Sequence, residues 1–339
     1  MTRTVLDLPP PRLGLGCGVF SGAYGPVGQE QATEAVCSAF ESGITLVDTS
    51  PYYGDSEVKL GEALRELQPK YPRGSYEICT KLGRYGYSRK DFDYSADRVV
   101  SSVHKSMQRL QTTYLDMVLC HDVEFVDISD VVDKALPKLF ELKRQGVVRQ
   151  VGVSGYPLDV LLRIAQIQYE RGCPLDVCLS YCTFNLHCQL LPRYVPLLRG
   201  AGIRTIVAAS PLSMGLLHQD ATPNWHPAKA ELKAAIAQCI EILRSQPQPL
   251  DGTHGTGITL ASMAESYAFS YTGVDVHLVG AQSRSEVECA VDAYQRAQTL
   301  QLASGGKYPD EAAQGMYERV QSILRPFAEY TWESPPADA

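Results

Sequence analysis

The sequence predicts a closed (β/α)8 barrel, and three observations lead to this fold class. From about residue 13 to residue 327, short apolar runs alternate with segments of helical periodicity. The runs are rich in β-branched residues and apolar on both faces, which is typical of parallel strands covered by helices. Eight such runs occur, each leading toward a helix, as a TIM barrel requires. We therefore expect a single barrel domain over residues 1–339, with peripheral tails at 1–12 and 328–339.

The elements can be assigned in chain order. LGLGCGVF is predicted as the first strand, and the helix after it ends at Gly43. GITLVDTS is predicted as the second strand, and Ser56 as the N-cap of the helix SEVKLGEALREL. YEICTK is predicted as the third strand, and the next helix begins near Ser95. The other five strands are predicted at LDMVLCH, VVRQVGVS, LDVCLS, IRTIVAAS and VDVHLVG.

The spacing of the strand ends indicates one insertion. Successive ends lie 26 to 40 residues apart as far as Ser210, whereas Gly280 follows only after 70 residues. We therefore place extra material between the seventh and eighth strands, over residues 213–274, including the helix ELKAAIAQCIEILRS. A doubly wound sheet is the competing fold class. It would favour G-x-G-x-x-G after an early strand, a spacing that GLGCGVF lacks.

The charge balance argues against several kinds of partner. Lysine and arginine number 31 against 38 acidic residues, a net charge of -7, so we expect neither a nucleic-acid partner nor an anionic membrane surface. The N-terminal stretch has no apolar signal core, and no apolar run approaches membrane-spanning length. We expect a soluble, cytoplasmic protein that is a monomer or a weak homo-oligomer.

The ten cysteines are predicted to be reduced thiols, because many of them occur within apolar segments. One cluster contains side chains of the types that bind metal ions. It comprises Cys178, Cys182, His187 and Cys188, whose spacing matches no standard zinc pattern. We therefore expect packed thiols and no metal.

Four titratable side chains occur at or just after the ends of three successive strands. Asp48 ends the second strand, Tyr53 follows in its loop, Lys81 ends the third and His121 the fourth. Neighbouring strands are about 4.8 Å apart, so these groups can meet in one pocket. An ammonium beside a phenol lowers the pKa of the phenol, and an aspartate keeps the ammonium charged. Each residue alone has an ordinary structural role, but together they predict proton transfer at a carbonyl or alcohol carbon, with a nicotinamide cofactor carrying the hydride.

These motifs resemble the signature of the aldo-keto reductase superfamily. DTSPYYG, the TK that ends the third strand, and LCHD are similar to the motifs that carry its Asp, Tyr, Lys and His tetrad on a (β/α)8 barrel. The resemblance runs from about Leu13 to Ala293 and includes GVSGYP, SPLSMGLL and LVGAQS. It implies that Tyr53, not its neighbour Tyr52, is the catalytic phenol. TTYLDMVLCHDVEFV, LSYCTFNL and NWHPA further resemble the branch that contains L-galactose dehydrogenase and D-arabinose 1-dehydrogenase.

The resemblance also implies where a nicotinamide cofactor binds. The implied positions are Ser154 and Ser180 near the nicotinamide, Ser210, Leu212 and Gly215 in the pyrophosphate loop, and Gly280, Gln282, Ser283, Arg284 and Glu286 at the adenosine end. The sequence departs from the family pattern at Gly155, Ala209 and Cys289–Ala290. The glutamine common in the sixth strand is also missing, and Ser180 or Tyr181 lies nearby.

The position of Glu286 predicts the choice of coenzyme. Many members of the superfamily that use NADP carry an arginine there, whereas a carboxylate would repel the 2′-phosphate and accept hydrogen bonds from a free ribose diol. We therefore expect NAD rather than NADP. Two alternatives remain: Glu286 caps the following helix, or Arg284 binds the phosphate.

Several residues are predicted to contact a sugar. Tyr52, Phe184, Trp225 and His226 are candidates to line the mouth of the pocket, because aromatic faces suit sugar rings. Asp122 is the candidate for binding hydroxyls, with Glu124 as its alternative. Trp225 has a second interpretation, as a packed anchor for the insertion.

The leading functional hypothesis is an NAD-dependent aldose 1-dehydrogenase that oxidises the anomeric carbon of an L-galactose or D-arabinose type of sugar to the lactone. The first alternative is a general NADPH-dependent aldehyde or pyridoxal reductase, since the tetrad operates in both directions. The second is a nucleotide-sensing regulatory subunit, because the potassium-channel β subunits of the superfamily keep the same four residues.

Overall fold

Eight parallel strands form a closed barrel in chain order, and β1 pairs with β8 to complete it. The computed structural model describes residues 11–218, 222–245 and 258–335. The predicted fold class is confirmed. The strands are β1 (Arg12–Gly16), β2 (Leu46–Asp48), β3 (Glu77–Leu82), β4 (Leu115–His121), β5 (Val148–Gly155), β6 (Val177–Tyr181), β7 (Thr205–Ala209) and β8 (Val276–Gly280).

Helices surround the barrel, and two of them lie in the predicted insertion between β7 and β8. The helices are α1 (Gln29–Glu41), α2 (Ser56–Leu67), α3 (Ala96–Arg109), α4 (Leu136–Arg144), α5 (Leu158–Glu170), α6 (Leu191–Gly200), α7 (Ala230–Arg244), α8 (Leu260–Phe269), α9 (Arg284–Leu300) and α10 (Glu311–Leu324). The insertion contains α7 and α8. The predicted features at 1–10, 219–221, 246–257 and 336–339 fall outside the described residues.

The strands are apolar on both faces because each face has its own core. Inward side chains such as Met117 and Leu119 fill the barrel interior, together with residues from β2, β3, β6, β7 and β8. Outward side chains such as Val118 and Ile78 pack against the helices in a larger core. Among the described ranges, no helix is long and apolar enough to cross a membrane.

Three aspartates connect neighbouring strands at the amino-terminal end of the barrel. Each lies at or just before the start of an even-numbered strand and accepts a backbone N–H from the preceding odd-numbered strand. The pairs are Asp116 with Ile78 (2.9 Å), Asp176 with Val151 (2.9 Å) and Asp275 with Ile206 (2.6 Å). Ion pairs hold these carboxylates, from Arg73 and Arg149 to Asp116, from Lys143 and Arg204 to Asp176, and from Arg199 to Asp275.

A fully buried carboxylate on α2 attaches this helix to β3 and α3. Glu57 accepts hydrogen bonds from the Thr80 hydroxyl and from Arg109 Nη1, both at 2.7 Å. The preceding residue, Ser56, does not act as the predicted N-cap. Asp55 occupies that position, and the Ser56 hydroxyl instead donates to Cys17 O at 2.7 Å. These contacts fix the backbone beside the end of β3.

The segment after α10 returns across the barrel mouth, although the sequence predicted a peripheral tail. Trp332 is buried and stacks in parallel on Tyr156, with ring centroids 4.7 Å apart. The Ser334 hydroxyl donates to Glu124 Oε1 at 3.1 Å. Both partners lie beyond the carboxyl ends of β5 and β4, so this segment covers the side of the barrel where the loops gather.

Two helical glycines should respond in opposite ways to substitution by alanine. A Cβ at Gly61 in α2 would lie 2.0 Å from Arg109 O, whereas a Cβ at Gly315 in α10 meets nothing within 4 Å. We expect Gly61→Ala to reduce the free energy of unfolding by about 1–3 kcal/mol through steric overlap. We expect Gly315→Ala to increase it by about 0.5–1 kcal/mol through helix propensity. Urea denaturation followed by circular dichroism measures both changes, and a stable Gly61→Ala variant would contradict the close contact of α2 and α3.

Candidate active site

A buried ion pair joins the carboxyl ends of β2 and β3. Lys81 Nζ donates to Asp48 Oδ1 at 2.5 Å and to Thr49 O at 2.9 Å, and both charged side chains are at most 4% exposed. Burial lowers the pKa of Lys81, but the charge of Asp48 and the phenol of Tyr53 outweigh it and raise the pKa overall. The lysine is therefore a permanent ammonium.

Tyr53 lies against this ion pair in the loop after β2. Lys81 Nζ is 4.9 Å from the centroid of the phenol ring, so the charge of the ammonium acts on this phenol. Lys81 lowers the pKa of Tyr53 in the predicted direction, but burial has the larger effect. Burial raises the pKa of Tyr53 to about 12, and the Lys81 ammonium opposes that rise without cancelling it. The phenol is consequently protonated near neutral pH.

His121 completes the group at the end of β4, with its ring perpendicular to that of Tyr53 at a centroid distance of 5.6 Å. Burial lowers the pKa of His121 to about 3, so the imidazole is neutral. Its Nδ1 lies 3.0 Å from the Ser50 hydroxyl, and its Nε2 lies 3.5 Å from the carboxylate of Asp122. The carboxylate favours the tautomer with the proton on Nε2, and in that tautomer the Ser50 hydroxyl can donate to Nδ1.

A second ion pair, which sequence reasoning missed, borders the tetrad. Arg84 Nη1 donates to Asp122 Oδ2 at 2.5 Å, and Nη2 donates to the Tyr52 hydroxyl at 2.9 Å. Arg84 lies three residues after Lys81, in the loop that follows β3. The position of Arg84 just after a strand end could have marked it as a candidate site residue. Its partners come from other loops, so the sequence did not indicate the ion pair.

The structure brings some of the predicted sugar-binding residues to the tetrad. The Tyr52 ring lies 5.8 Å from Tyr53 and 5.7 Å from His121, and Asp122 follows His121 directly. Trp225 is half exposed, with its edge against Tyr24, another aromatic residue that the sequence did not single out. Burial raises the pKa of Tyr24, as do the nearby Tyr53 and Tyr52.

Two predicted sugar-binding residues are not available in the structure. Phe184 is 5% exposed and packs between Tyr271 and Tyr267, with ring centroids 4.6 and 5.5 Å away. Both ring nitrogens of His226 are satisfied by backbone. Nε2 lies 2.8 Å from Ser213 O, and Nδ1 accepts the Ala228 N–H at 3.1 Å. His226 therefore fixes the loop after β7, and Phe184 belongs to the helix layer.

The predicted nicotinamide and pyrophosphate positions lie around the ends of β5, β6 and β7. The Ser154 hydroxyl donates to Cys120 O at 3.3 Å, and the Ser180 hydroxyl lies 2.7 Å from that of Thr183. Leu212 is half-buried and packs against the large core. The loop after β7 contains three consecutive left-handed residues at 213–215, with φ of 51, 53 and 84°. The Ser213 and Met214 N–H groups donate to Ser210 O and Oγ, both at 2.9 Å, and these bonds define the turn.

The predicted adenosine end lies between β8 and α9. Gly280 ends β8, where a Cβ would lie 2.9 Å from Val19 Cγ1. Ser283 caps α9 by accepting the Glu286 N–H at 3.3 Å, and Glu286 Oε2 accepts the Gln282 N–H at 2.9 Å. Gln282 Oε1 is buried and has no hydrogen-bond partner among the described residues. A donor group of a bound nucleotide would satisfy this buried acceptor.

The structure also shows the contacts of Arg284, the alternative phosphate partner, and of His187, a member of the candidate metal cluster. Arg284 is in an ion pair with Glu41 at 2.9 Å, so its guanidinium already has a carboxylate partner. His187, from the cysteine-rich cluster, has its Nε2 2.7 Å from the Ser213 hydroxyl. In the part of the chain that the structure describes, no group of three His, Cys, Asp or Glu residues is placed to hold a metal ion.

Comparison with known proteins identifies the family. L-galactose dehydrogenase of Arabidopsis thaliana is 35% identical over 326 residues, covering 95% of this chain and 93% of that protein. D-arabinose 1-dehydrogenase of Saccharomyces cerevisiae is 41% identical over 263 residues, covering 76% and 74%. An aldo-keto reductase structure from Bacillus halodurans shares the fold, with a TM-score of 0.64, 22% identity and coverage of 96% and 95%. Because the model of the aldo/keto reductase family matches residues 12–301, which span every barrel strand, this chain belongs to that family.

Proposed function

We propose that this protein is an NAD-dependent aldose 1-dehydrogenase, which oxidises the anomeric carbon of an L-galactose or D-arabinose type of sugar to the lactone. The observation that carries the proposal is the buried Lys81–Asp48 pair against Tyr53, next to a neutral His121. The names of the similar proteins support the choice of substrate class, since L-galactose dehydrogenase and D-arabinose 1-dehydrogenase both oxidise aldoses.

In this proposal each residue of the tetrad has one task. His121 Nε2–H donates to the anomeric oxygen and orients it toward Tyr53. Tyr53, as the phenolate, takes the proton from that hydroxyl, while Lys81 stabilises the phenolate and Asp48 holds the ammonium in place. The nicotinamide cofactor that the family implies supplies, when bound, the acceptor for the hydride leaving C1. One proton and one hydride leave the sugar, which balances the oxidation of a hemiacetal to a lactone.

We further propose that the coenzyme is NAD and that the protein works in the cytoplasm. The negative charge of the Glu286 carboxylate would repel a 2′-phosphate. One oxygen of this carboxylate, Oε2, already accepts the Gln282 N–H. All ten cysteines are free, and seven of them are buried, which suits a reducing compartment. A monomer or a weak homo-oligomer stays the expectation for the oligomeric state.

The proposed activity is tested by following NADH formation with a panel of L-galactose, D-arabinose, L-fucose and pyridoxal. We expect steady turnover with the aldoses. Activity only in the reverse direction, with NADPH and aldehydes or pyridoxal, would contradict the proposal and favour the reductase. Slow, stoichiometric oxidation of bound coenzyme without turnover would contradict it as well and favour a nucleotide sensor.

The same assay distinguishes the two adjacent tyrosines. We expect Tyr53→Phe to lower kcat by at least about 100-fold, the usual contribution of a general acid–base group, while coenzyme binding is retained. Tyr52→Phe is the matched variant, since it removes only the hydroxyl that receives Arg84 Nη2. We expect its kcat to fall less than about 10-fold, the loss of one hydrogen bond. A larger loss in Tyr52→Phe than in Tyr53→Phe would transfer the acid–base role to Tyr52.

The pH dependence should differ between the two directions of the reaction. Oxidation needs the phenolate, and the pKa of Tyr53 is raised to about 12, so kcat/KM for the sugar should rise with pH from about pH 6 to about pH 10. Reduction needs the phenol, which predominates throughout that range, so its kcat/KM should stay flat. His121, with a pKa of about 3, adds no acid limb. A flat oxidation profile would exclude Tyr53 as the base.

The coenzyme preference can be tested at α9. We expect kcat/KM with NAD to exceed that with NADP by at least about 10-fold, because like charges oppose each other at Glu286. Glu286→Arg should shift the ratio toward NADP. Glu288→Arg, which makes the same charge change two residues along the helix, should leave the ratio nearly unchanged. A clear preference of the natural protein for NADP would overturn the assignment.

A further inference from the structure

We infer that Arg84 is a positioning residue that holds Asp122 beside His121, so that Asp122 binds a sugar hydroxyl next to the reacting carbon and selects polyhydroxylated substrates. This inference rests on the proposed aldose oxidation and names the feature of the substrate that the site recognises.

Arg84 is held in place over most of its guanidinium. Nη1 donates to Asp122, Nη2 to Tyr52 and Nε to Gly86 O at 3.3 Å. The guanidinium lies 3.8 Å from the centroid of the Tyr52 ring. It also lies 5.4 and 5.2 Å from the ring centroids of Phe92 and Phe125. A planar cation with these contacts has little freedom to move, which suits the orientation of a carboxylate.

Asp122 has one carboxylate oxygen bound and one left over. Oδ2 receives Arg84, whereas Oδ1 is buried and has no hydrogen-bond partner among the described residues. The backbone of Asp122 is left-handed, with φ of 52°, a conformation that costs energy outside glycine. A buried acceptor without a donor is also costly, and a bound hydroxyl would remove that cost.

The location of the carboxylate determines which hydroxyl it can reach. Asp122 Oδ2 lies 3.5 Å from His121 Nε2, the nitrogen that faces the reacting oxygen in the proposed reaction. Oxygens on adjacent sugar carbons are about a hydrogen-bond length apart. A sugar with its anomeric oxygen at His121 therefore brings a neighbouring hydroxyl to Asp122. A simple aldehyde has no such group and would leave Oδ1 unsatisfied.

An ion pair that only stabilises the fold is the competing explanation, and the chain contains a matched example. Arg73 and Asp116 form a pair of the same length, 2.5 Å, with similar burial, at the opposite end of the barrel. Neither oxygen of Asp116 lacks a partner, because the Ile78 N–H, Arg73 and Arg149 all donate to it. Of these two matched pairs, only Arg84–Asp122 leaves a buried carboxylate oxygen without a partner among the described residues.

The test compares sugars with their deoxy analogues in the natural protein and in variants. The substrates are L-galactose and its 2-deoxy and 3-deoxy analogues, and D-arabinose with 2-deoxy-D-ribose, its 2-deoxy analogue. In the natural protein we expect removal of the contacted hydroxyl to lower kcat/KM by at least about 10-fold. In Asp122→Asn and Arg84→Met this ratio should fall to about threefold or less, with the change mainly in KM for the sugar.

Two further variants separate positioning from stability. Arg84→Lys keeps the charge but loses the planar fork, so we expect partial rescue of the ratio relative to Arg84→Met. Arg73→Met should lower stability in urea denaturation and leave the ratio as in the natural protein. If Arg84→Met does not fold, Asp122→Asn and Arg84→Lys carry the comparison.

Each outcome is decisive. If the natural protein treats all deoxy analogues like their parent sugars, or if the Asp122 and Arg84 variants keep the natural ratio, the inference is overturned and the proposed function stands. If Arg73→Met changes the ratio as much as Arg84→Met, the effect is one of stability and the inference is overturned. If the natural protein oxidises no aldose, both the proposed function and this inference fail.

Discussion

The proposed chemistry of this protein depends on one buried ion pair, Lys81 with Asp48. Two opposite charges inside a barrel lose much of their hydration, and only close contact with additional hydrogen bonds compensates that loss. Lys81 has such contacts with Asp48 and with Thr49 O. Glu57 fixes the adjacent Thr80 from outside the barrel. The ammonium is therefore charged and held in place before any ligand binds. It can stabilise the Tyr53 phenolate, as proposed, without first moving.

The barrel separates its charged residues by function along its axis. At the amino-terminal end, Asp116, Asp176 and Asp275 accept backbone N–H groups from neighbouring strands and stabilise the closure. At the carboxyl end, Asp48 and Asp122 each retain a buried oxygen without a partner among the described residues. The aspartates that stabilise the fold have hydrogen-bond donors within the protein. Those at the carboxyl end keep an oxygen to which a ligand could donate.

Backbone strain is concentrated on the same side of the barrel. Asp122, Cys182, Ser210, Ser213 and Met214 all have positive φ values and follow strand ends, although none of them is glycine. Such residues are retained only where the surrounding contacts define the conformation, as Ser210 does by accepting the Met214 N–H at 2.9 Å. The loops that carry this strain are those proposed to bind the sugar and the pyrophosphate.

The sequence by itself determined the barrel and which strand ends carry the four titratable residues, because apolar runs and the residues that end them are local patterns. In a closed parallel barrel, consecutive strand ends then lie side by side. Tertiary structure decided the rest. The pKa of Tyr53 depends on burial, which raises it despite Lys81. The side chains of Phe184 and His226 are buried and already bound, by α8 and by the loop after β7 respectively. Arg84 gains its partners Asp122 and Tyr52 from loops distant in sequence, and no local pattern records such contacts.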